Sequence, residues 1–292
     1  MGHNEWQARP SLNEARGGLI GTTTGITYAI GGYTSGFGAE LGSVERLDPA
    51  TGRWSLIRPL NVKRGNSAAA TARDGDVYVL GGFVGDKTVD VVEILDHRTG
   101  HWRAGRPLPG ARGGAAAAAI GDRIYVVGGF DADDNATTAV AFYDIRRDSW
   151  HDVKPMPTAR GLLKAEVLDG HLYAIAGTVD VQVFQTTVER YDPASDTWGT
   201  VAPLHTGRGN PGVAAGGRRI FVVGGASPDG PLRTTEVYDP HADRWRTIDA
   251  QLAVGRASLS AAVVRDHLVA FGGFEVPAGS PVASARVEAL SL

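Results

Sequence analysis

The sequence predicts an all-β fold, a six-bladed β-propeller with four antiparallel strands per blade, and three periodicities carry that prediction. Tryptophan stands at Trp6, Trp54, Trp102, Trp150, Trp198 and Trp245, at intervals of 48, 48, 48, 48 and 47 residues. Arginine stands at Arg16, Arg64, Arg112, Arg160, Arg208 and Arg256, every interval being 48. A pair of small residues recurs at Gly31-Gly32, Gly81-Gly82, Gly128-Gly129, Ala176-Gly177, Gly224-Gly225 and Gly272-Gly273. Six copies of each marker mean six units, and a fixed period of this length marks an architecture whose units share a core by stacking.

The unit at residues 111–157 shows the elements in order. A run of small residues, Ala115 to Ala119, reaches a turn at Gly121-Asp122. Small side chains suit the crowded innermost strand, where six blades converge. The apolar run Ile124 to Val127 then ends at Gly128-Gly129, where glycine permits positive φ and close approach of blades. After a loop comes a strand ending in Tyr143-Asp144, a polar turn, and a strand led by Trp150, whose indole offers a large apolar face with an N–H handle. Four short strands with a turn between each pair read as antiparallel β-structure. No window of 11 or more residues has helical periodicity. Repeated six times, this is the pattern of a propeller. It spans a single domain, 1–292, with units near 11–60, 61–108, 109–156, 157–204, 205–252 and 253–292. The last unit, "SARVEALSL", stops after its third strand. Residues 4–10, which carry Trp6, are expected to supply its fourth strand and close the ring, which removes an exposed sheet edge.

The Gly-Gly pair, the Tyr-Asp and the Trp at these offsets resemble the kelch repeat over essentially the whole chain. Local departures are Ala176 for the first Gly of unit 4, and Leu47 and Leu95 for Tyr in units 1 and 2. The resemblance implies two kinds of function. Many kelch propellers present a rim to a short acidic peptide, and arginines at this place in the motif line the pocket and meet carboxylates. Stand-alone kelch propellers include sialate mutarotases and the specifier proteins of glucosinolate breakdown, which handle anionic small molecules without a tightly held organic cofactor. Galactose oxidase also has kelch-type blades, but its Tyr–Cys crosslink needs a cysteine, and this chain has 0.

Composition narrows the classes further. With 292 residues, 42% hydrophobic and 21% charged, the chain can bury a core and stay soluble. Basic and acidic residues number 29 and 32, a balance that argues against a nucleic-acid partner. No secretory signal and no apolar run of about 18 residues is evident. The expectation is a cytoplasmic monomer with no membrane partner. No cofactor or metal is expected: the acidic loop "DADDN" (Asp131, Asp133, Asp134) lacks the Gly and distal Glu of a calcium loop, and no phosphate loop or zinc helix is found.

Candidate site residues follow from strand alternation. The loops after the Gly pairs vary, with 12 to 16 residues from pair to Glu position, while the Glu position to Trp is always 9. Variable loops on a rigid scaffold carry binding, so the functional face is expected at the end bearing the arginines. Arg16, Arg64, Arg112, Arg160, Arg208 and Arg256 are expected around the channel mouth, able to grip carboxylate or phosphate. Pairing with Glu45, Glu93, Glu189, Glu236 and Glu288 is the structural alternative; Ala141 breaks that series, so at least one Arg lacks such a partner. Tyr33, Phe83, Phe130 and Phe274, each following a Gly pair, would add aromatic faces, and Asn66 and Asn210 amide hydrogen bonds. In unit 4 Lys164 and Glu166 replace small residues on one face of the innermost strand. They either pair across a wet channel or act as acid and base. His205, before Arg208, is a further acid–base candidate. The functional expectation is binding of an anionic small molecule, with isomerase-, lyase- or cyclase-type catalysis if the enzyme reading holds; the alternative is an acidic peptide or partner protein on the same face.

Overall fold

Six four-stranded antiparallel sheets radiate from a common axis. The structure is a computed structural model, which describes residues 5–21, 25–36, 38–180 and 182–292. Blade 3 is representative: Ala116–Ile120 lies at the axis, followed outward by Arg123–Val127, Val140–Asp144 and Ser149–Val153. The first strands of the six blades pack on one another in a closed circle. Blade 6 has the order Ser260–Val264, His267–Phe271, Val287–Ser291 and then Gln7–Arg9, so the start of the chain supplies its outermost strand. Gln7 faces Ala289 and Arg9 faces Val287 in that register. Residue 4 of the expected closing strand lies outside the described residues. Among the described residues the only helical segment is a single 3₁₀ turn, Pro277–Gly279.

Strand alternation sends side chains to both faces of each blade, and both faces are covered by a neighbouring blade. Six buried apolar clusters result, one between each adjacent pair of blades. The cluster between blades 6 and 1 draws on Leu12, Leu19 and Trp54 from one and Val269, Phe271 and Ala289 from the other. Trp6 packs into the cluster between blades 5 and 6.

The sequence markers are inter-blade fasteners. The second residue of each small pair donates its N–H to the carbonyl of the next blade's Arg: Gly32 to Arg64, Gly82 to Arg112, and onward to Gly273 and Arg16. A Cβ on Gly81 would stand 2.3 Å from the Arg112 carbonyl at φ +57, which is why glycine is needed there. The Trp indoles of blades 2 to 5 donate to a carbonyl in the loop entering their own blade, as from Trp102 to Arg58 at 2.8 Å and from Trp198 to Lys154 at 2.8 Å. The Tyr hydroxyls of blades 3 to 5 bond an Asp across the turn that follows, as in Tyr191 to Asp196 at 2.7 Å.

Candidate functional site

The arginine ring does not line a mouth. Arg16, Arg64, Arg160, Arg208 and Arg256 are 0% exposed. Each meets the Glu on the third strand of its own blade: Arg16–Glu45 at 3.0 Å, Arg160–Glu189 at 2.9 Å, Arg256–Glu288 at 2.7 Å, with Arg64–Glu93 and Arg208–Glu236 alike. A further N–H group of each reaches a carbonyl near the second strand's end, as from Arg208 to Gly224 at 2.8 Å. Burial pulls these guanidiniums below their ordinary pKa and the Glu charge pulls back. A side chain with no exposed surface cannot touch a ligand, so the five paired arginines brace blades instead. Arg112 differs. It is 8% exposed, its blade has Ala141 at the Glu position, and its side chain donates to the Ala139 carbonyl at 2.9 Å.

The aromatic candidates are also packing elements. Tyr33, Phe83 and Phe130 are buried and Phe274 half-buried. Each ring lies over the glycine that follows the next blade's arginine. A Cβ built on Gly65 would meet Tyr33 at 2.1 Å, on Gly113 Phe83 at 2.2 Å, on Gly161 Phe130 at 2.2 Å and on Gly17 Phe274 at 2.4 Å. Thr178 follows the pair in blade 4, and Phe184 shares with it the contact to Gly209.

Asn66 and Asn210 belong to a feature that closes the arginine end. The residue two after each arginine (Gly18, Asn66, Gly114, Leu162, Asn210 and Ser258) is left-handed, with φ between 46° and 63°. That conformation turns every N–H toward the previous blade. Asn66 donates to Gly18, Gly114 to Asn66, Leu162 to Gly114, Asn210 to Leu162, Ser258 to Asn210, and Gly18 to Ser258, at 2.7–2.9 Å. The circle is complete. Blades 2 and 5 stand opposite each other, and the Asn210 amide crosses the axis to the Asn66 carbonyl oxygen at 2.9 Å. It also donates to the Ser258 hydroxyl at 3.0 Å. The amides that the sequence offered to a ligand are therefore used on each other. The signal for this ring was legible: "RGG", "RGN", "RGG", "RGL", "RGN" and "RAS" put Gly or Asn, the residues most at ease with positive φ, at four of the six places.

The channel instead opens at the far end, beside the turns between first and second strands. It forms a cavity of about 710 Å³, half of whose lining residues are alanines and glycines of the first strands and the turns that follow them, with Arg73, Asp74 and His97 at its rim. Lys164 and Glu166 both line it. At their two levels the other blades present Ile20, Ala68, Ala116, Gly212 and Ser260, and Ala70, Ala118, Ala214 and Ala262. Neither charge has an ion-pair partner within 4.0 Å among the described residues. The expected Lys–Glu pair is not formed. Among the described residues Glu166 accepts from backbone N–H groups, including that of Val167 at 3.2 Å. Burial among small apolar side chains pushes Lys164 down to about 8 and Glu166 up to about 7.

His205 stands apart from both ends of the channel. Its backbone N–H donates to Glu236 at 2.8 Å and its ring, largely exposed, lies 3.6 Å from the same carboxylate. It belongs to the brace around Arg208. The acidic loop of blade 3 is a turn in which the Asp131 carboxylate accepts the N–H groups of Asp133 and Asn135.

A family model described as the KLHDC2/KLHL20/DRC7 Kelch-repeats domain matches residues 19–207 and 67–273. Among curated proteins no match was found. With that model covering most of the chain, and with six blades fastened by the Gly pairs, Tyr-Asp turns and Trp indoles, the chain belongs to the Kelch-repeat family of β-propellers.

Proposed function

We propose that the channel binds a small anionic molecule and moves a proton on it without relying on the arginine ring. The observation that carries this reading is two opposite, unpaired charges set into a cavity whose wall at their levels is built mostly of small residues. Even partly burying an unpaired ion is costly, and a fold with alanine at six of the nine comparable places has no packing need for one here. Lys164 lies nearer the closed end, so a ligand's negative group would be drawn to the bottom of the cavity. Glu166, two residues nearer the opening, would then face the ligand's body. Groups titrating near 7 and 8 can accept and return protons at neutral pH, which is what an isomerisation or elimination requires.

A thermal-shift screen of small carboxylates and of phosphorylated or sialylated sugars tests the binding step. The expected hit stabilises the wild type, loses its effect in Lys164→Met, and in Glu166→Gln still binds while turnover of that hit falls at least about 100-fold. An undiminished shift in Lys164→Met would remove the channel from the function.

Protein binding at the opposite end is the second reading, and one observation favours it. Among the described residues, five of the seven exposed large hydrophobics (Val84, Val179, Val183, Val276 and Val282) sit in the loops after the Gly pairs. Pull-down with these valines replaced by Ser distinguishes it from the channel reading.

A further inference from the structure

We propose that Arg112 in blade 3 takes a carboxylate from outside the chain, in the place that the five other blades fill with their own Glu. This site lies at the end away from the channel opening and does not rest on the channel reading.

The comparison among blades defines it. In blade 1 the Glu45 carboxylate accepts from Arg16 and from the backbone N–H groups of Asn13 and Glu14. In blade 2 Glu93 takes Arg64 with Asn61 and Val62, and in blade 5 Glu236 takes Arg208 with His205 and Thr206. Each cradle is thus an arginine fork plus an entry loop built to hold one carboxylate.

Blade 3 keeps the fork and loses the anion. Ala141 stops at Cβ, so the missing atoms are one carbon and a carboxyl group, which is an acetate. Pro109 stands where Asn13 and Asn61 donate, and removes one N–H; Gly110 keeps the other, exposed and without a partner among the described residues. A Cβ placed on Gly110 meets nothing within 4 Å, so the approach from that side is open. Arg112 is more than nine-tenths buried with a carbonyl as its hydrogen-bond partner and no carboxylate within 4.0 Å among the described residues. It is also the only ring arginine with measurable surface. A buried guanidinium with one neutral acceptor is under-satisfied, and a bidentate carboxylate is its best-matched partner.

Asp152 is the nearest competitor. It faces Ala141 across the third and fourth strands, and its charge partly offsets the burial that lowers Arg112. In the other blades that strand position holds Leu56, Ala104, Thr200, Thr247 and Ala8. Asp152 is exposed and no ion pair within 4.0 Å joins it to Arg112, so it leaves the place of the Glu carboxylate unfilled.

The test is thermal unfolding at pH 7 in sodium acetate against sodium chloride of equal ionic strength. A glutamate peptide acetylated at its N-terminus and amidated at its C-terminus serves as second probe. Acetate is expected to raise the melting temperature of the wild type and of Lys164→Met by about 1–2 °C beyond chloride. Ala141→Glu should melt higher than the wild type in chloride and no longer respond; Ala141→Gln, which fills the space without charge, should not respond either. Asp152→Asn should respond at least as strongly as the wild type. A response to the peptide assigns the site to a partner's side chain, and a response to acetate alone assigns it to a free acid. The proposal fails if acetate acts equally on Ala141→Glu, if its effect disappears in Lys164→Met and so belongs to the channel, or if Asp152→Asn abolishes it.

Discussion

Lys164 and Glu166 show how one strand position acquires chemistry. Both sit where other blades carry mostly small residues, and both are partly buried without gaining an ion partner. The consequence for stability runs in opposite directions. Glu166 has a folded pKa raised to about 7, so its neutral form is favoured in the native state. Its contribution is fully present below the ordinary carboxylate value near 4.5 and is lost as pH rises through 7. Lys164 has a folded pKa lowered to about 8, so the native state holds fewer protons than the unfolded chain between there and 10.5, and stability recovers across that window. The unliganded protein should therefore be least stable near pH 7–8. The Lys164→Met, Glu166→Gln double variant should be more stable there by roughly 1–3 kcal/mol, with a flatter profile in chemical denaturation. A wild-type profile that does not dip relative to the double variant would show that both groups are well hydrated. Arg73, Asp74 and His97 also line the opening, where the His97 ring lies 3.0 Å from the Asp76 carboxylate.

Between neighbouring elements, the repeated residues act as clamps. In five of the six blades an Arg–Glu pair joins the start of the first strand to the third strand of the same blade, with both charges buried. Removing one partner leaves the other charge buried, so Glu236→Ala should cost about 3–5 kcal/mol in urea unfolding. Arg208→Met with Glu236→Leu, which removes both charges, should cost less than Glu236→Ala alone. The closing circle of left-handed residues makes a different demand. Asn210→Ala loses the bridge to Asn66 and a residue tolerant of positive φ, and should cost about 1–2 kcal/mol. Asn210→Gly, which restores the backbone freedom, should cost less. Equal losses for the two variants would mean that the amide bridge, not φ, dominates.

For the molecule as a whole, the decisive contact is between its two ends. Gln7–Arg9 completes blade 6 against Val287–Ser291, and Trp6 enters the apolar cluster shared by blades 5 and 6. Deleting residues 1–10 exposes the edge of Val287–Ser291 and opens the ring. The melting temperature should fall by roughly 10 °C or more, since a loss of several kcal/mol moves a chain of this size by a few degrees per kcal/mol. A deletion variant that melts with the wild type would show that ring closure adds nothing. The two ends of the axis also divide the labour: one is sealed by backbone hydrogen bonds, and the other opens into the cavity.

Periodicity alone determined the fold. A marker every 48 residues leaves only stacked identical units, and a Trp 48 residues before the first full unit, with a last unit short of one strand, specifies how the ring closes. The blade clamps were half legible: the match of five Glu to six Arg was visible, and Ala141 identified the exception. What the sequence could not settle was which end of the axis stays open. Strand alternation sorts loops by end, but whether a side chain at an end meets solvent or a neighbouring blade depends on inter-blade spacing. The arginines and aromatics looked like a rim because their types suit ligands; packing between blades took them out of water instead. Lys164 and Glu166 were recognisable as breaks in symmetry, yet their lack of mutual pairing is a matter of side-chain placement across a cavity. Only the assembled circle of six first strands, with Asn66 and Asn210 joined across it, made that cavity open at one end and closed at the other.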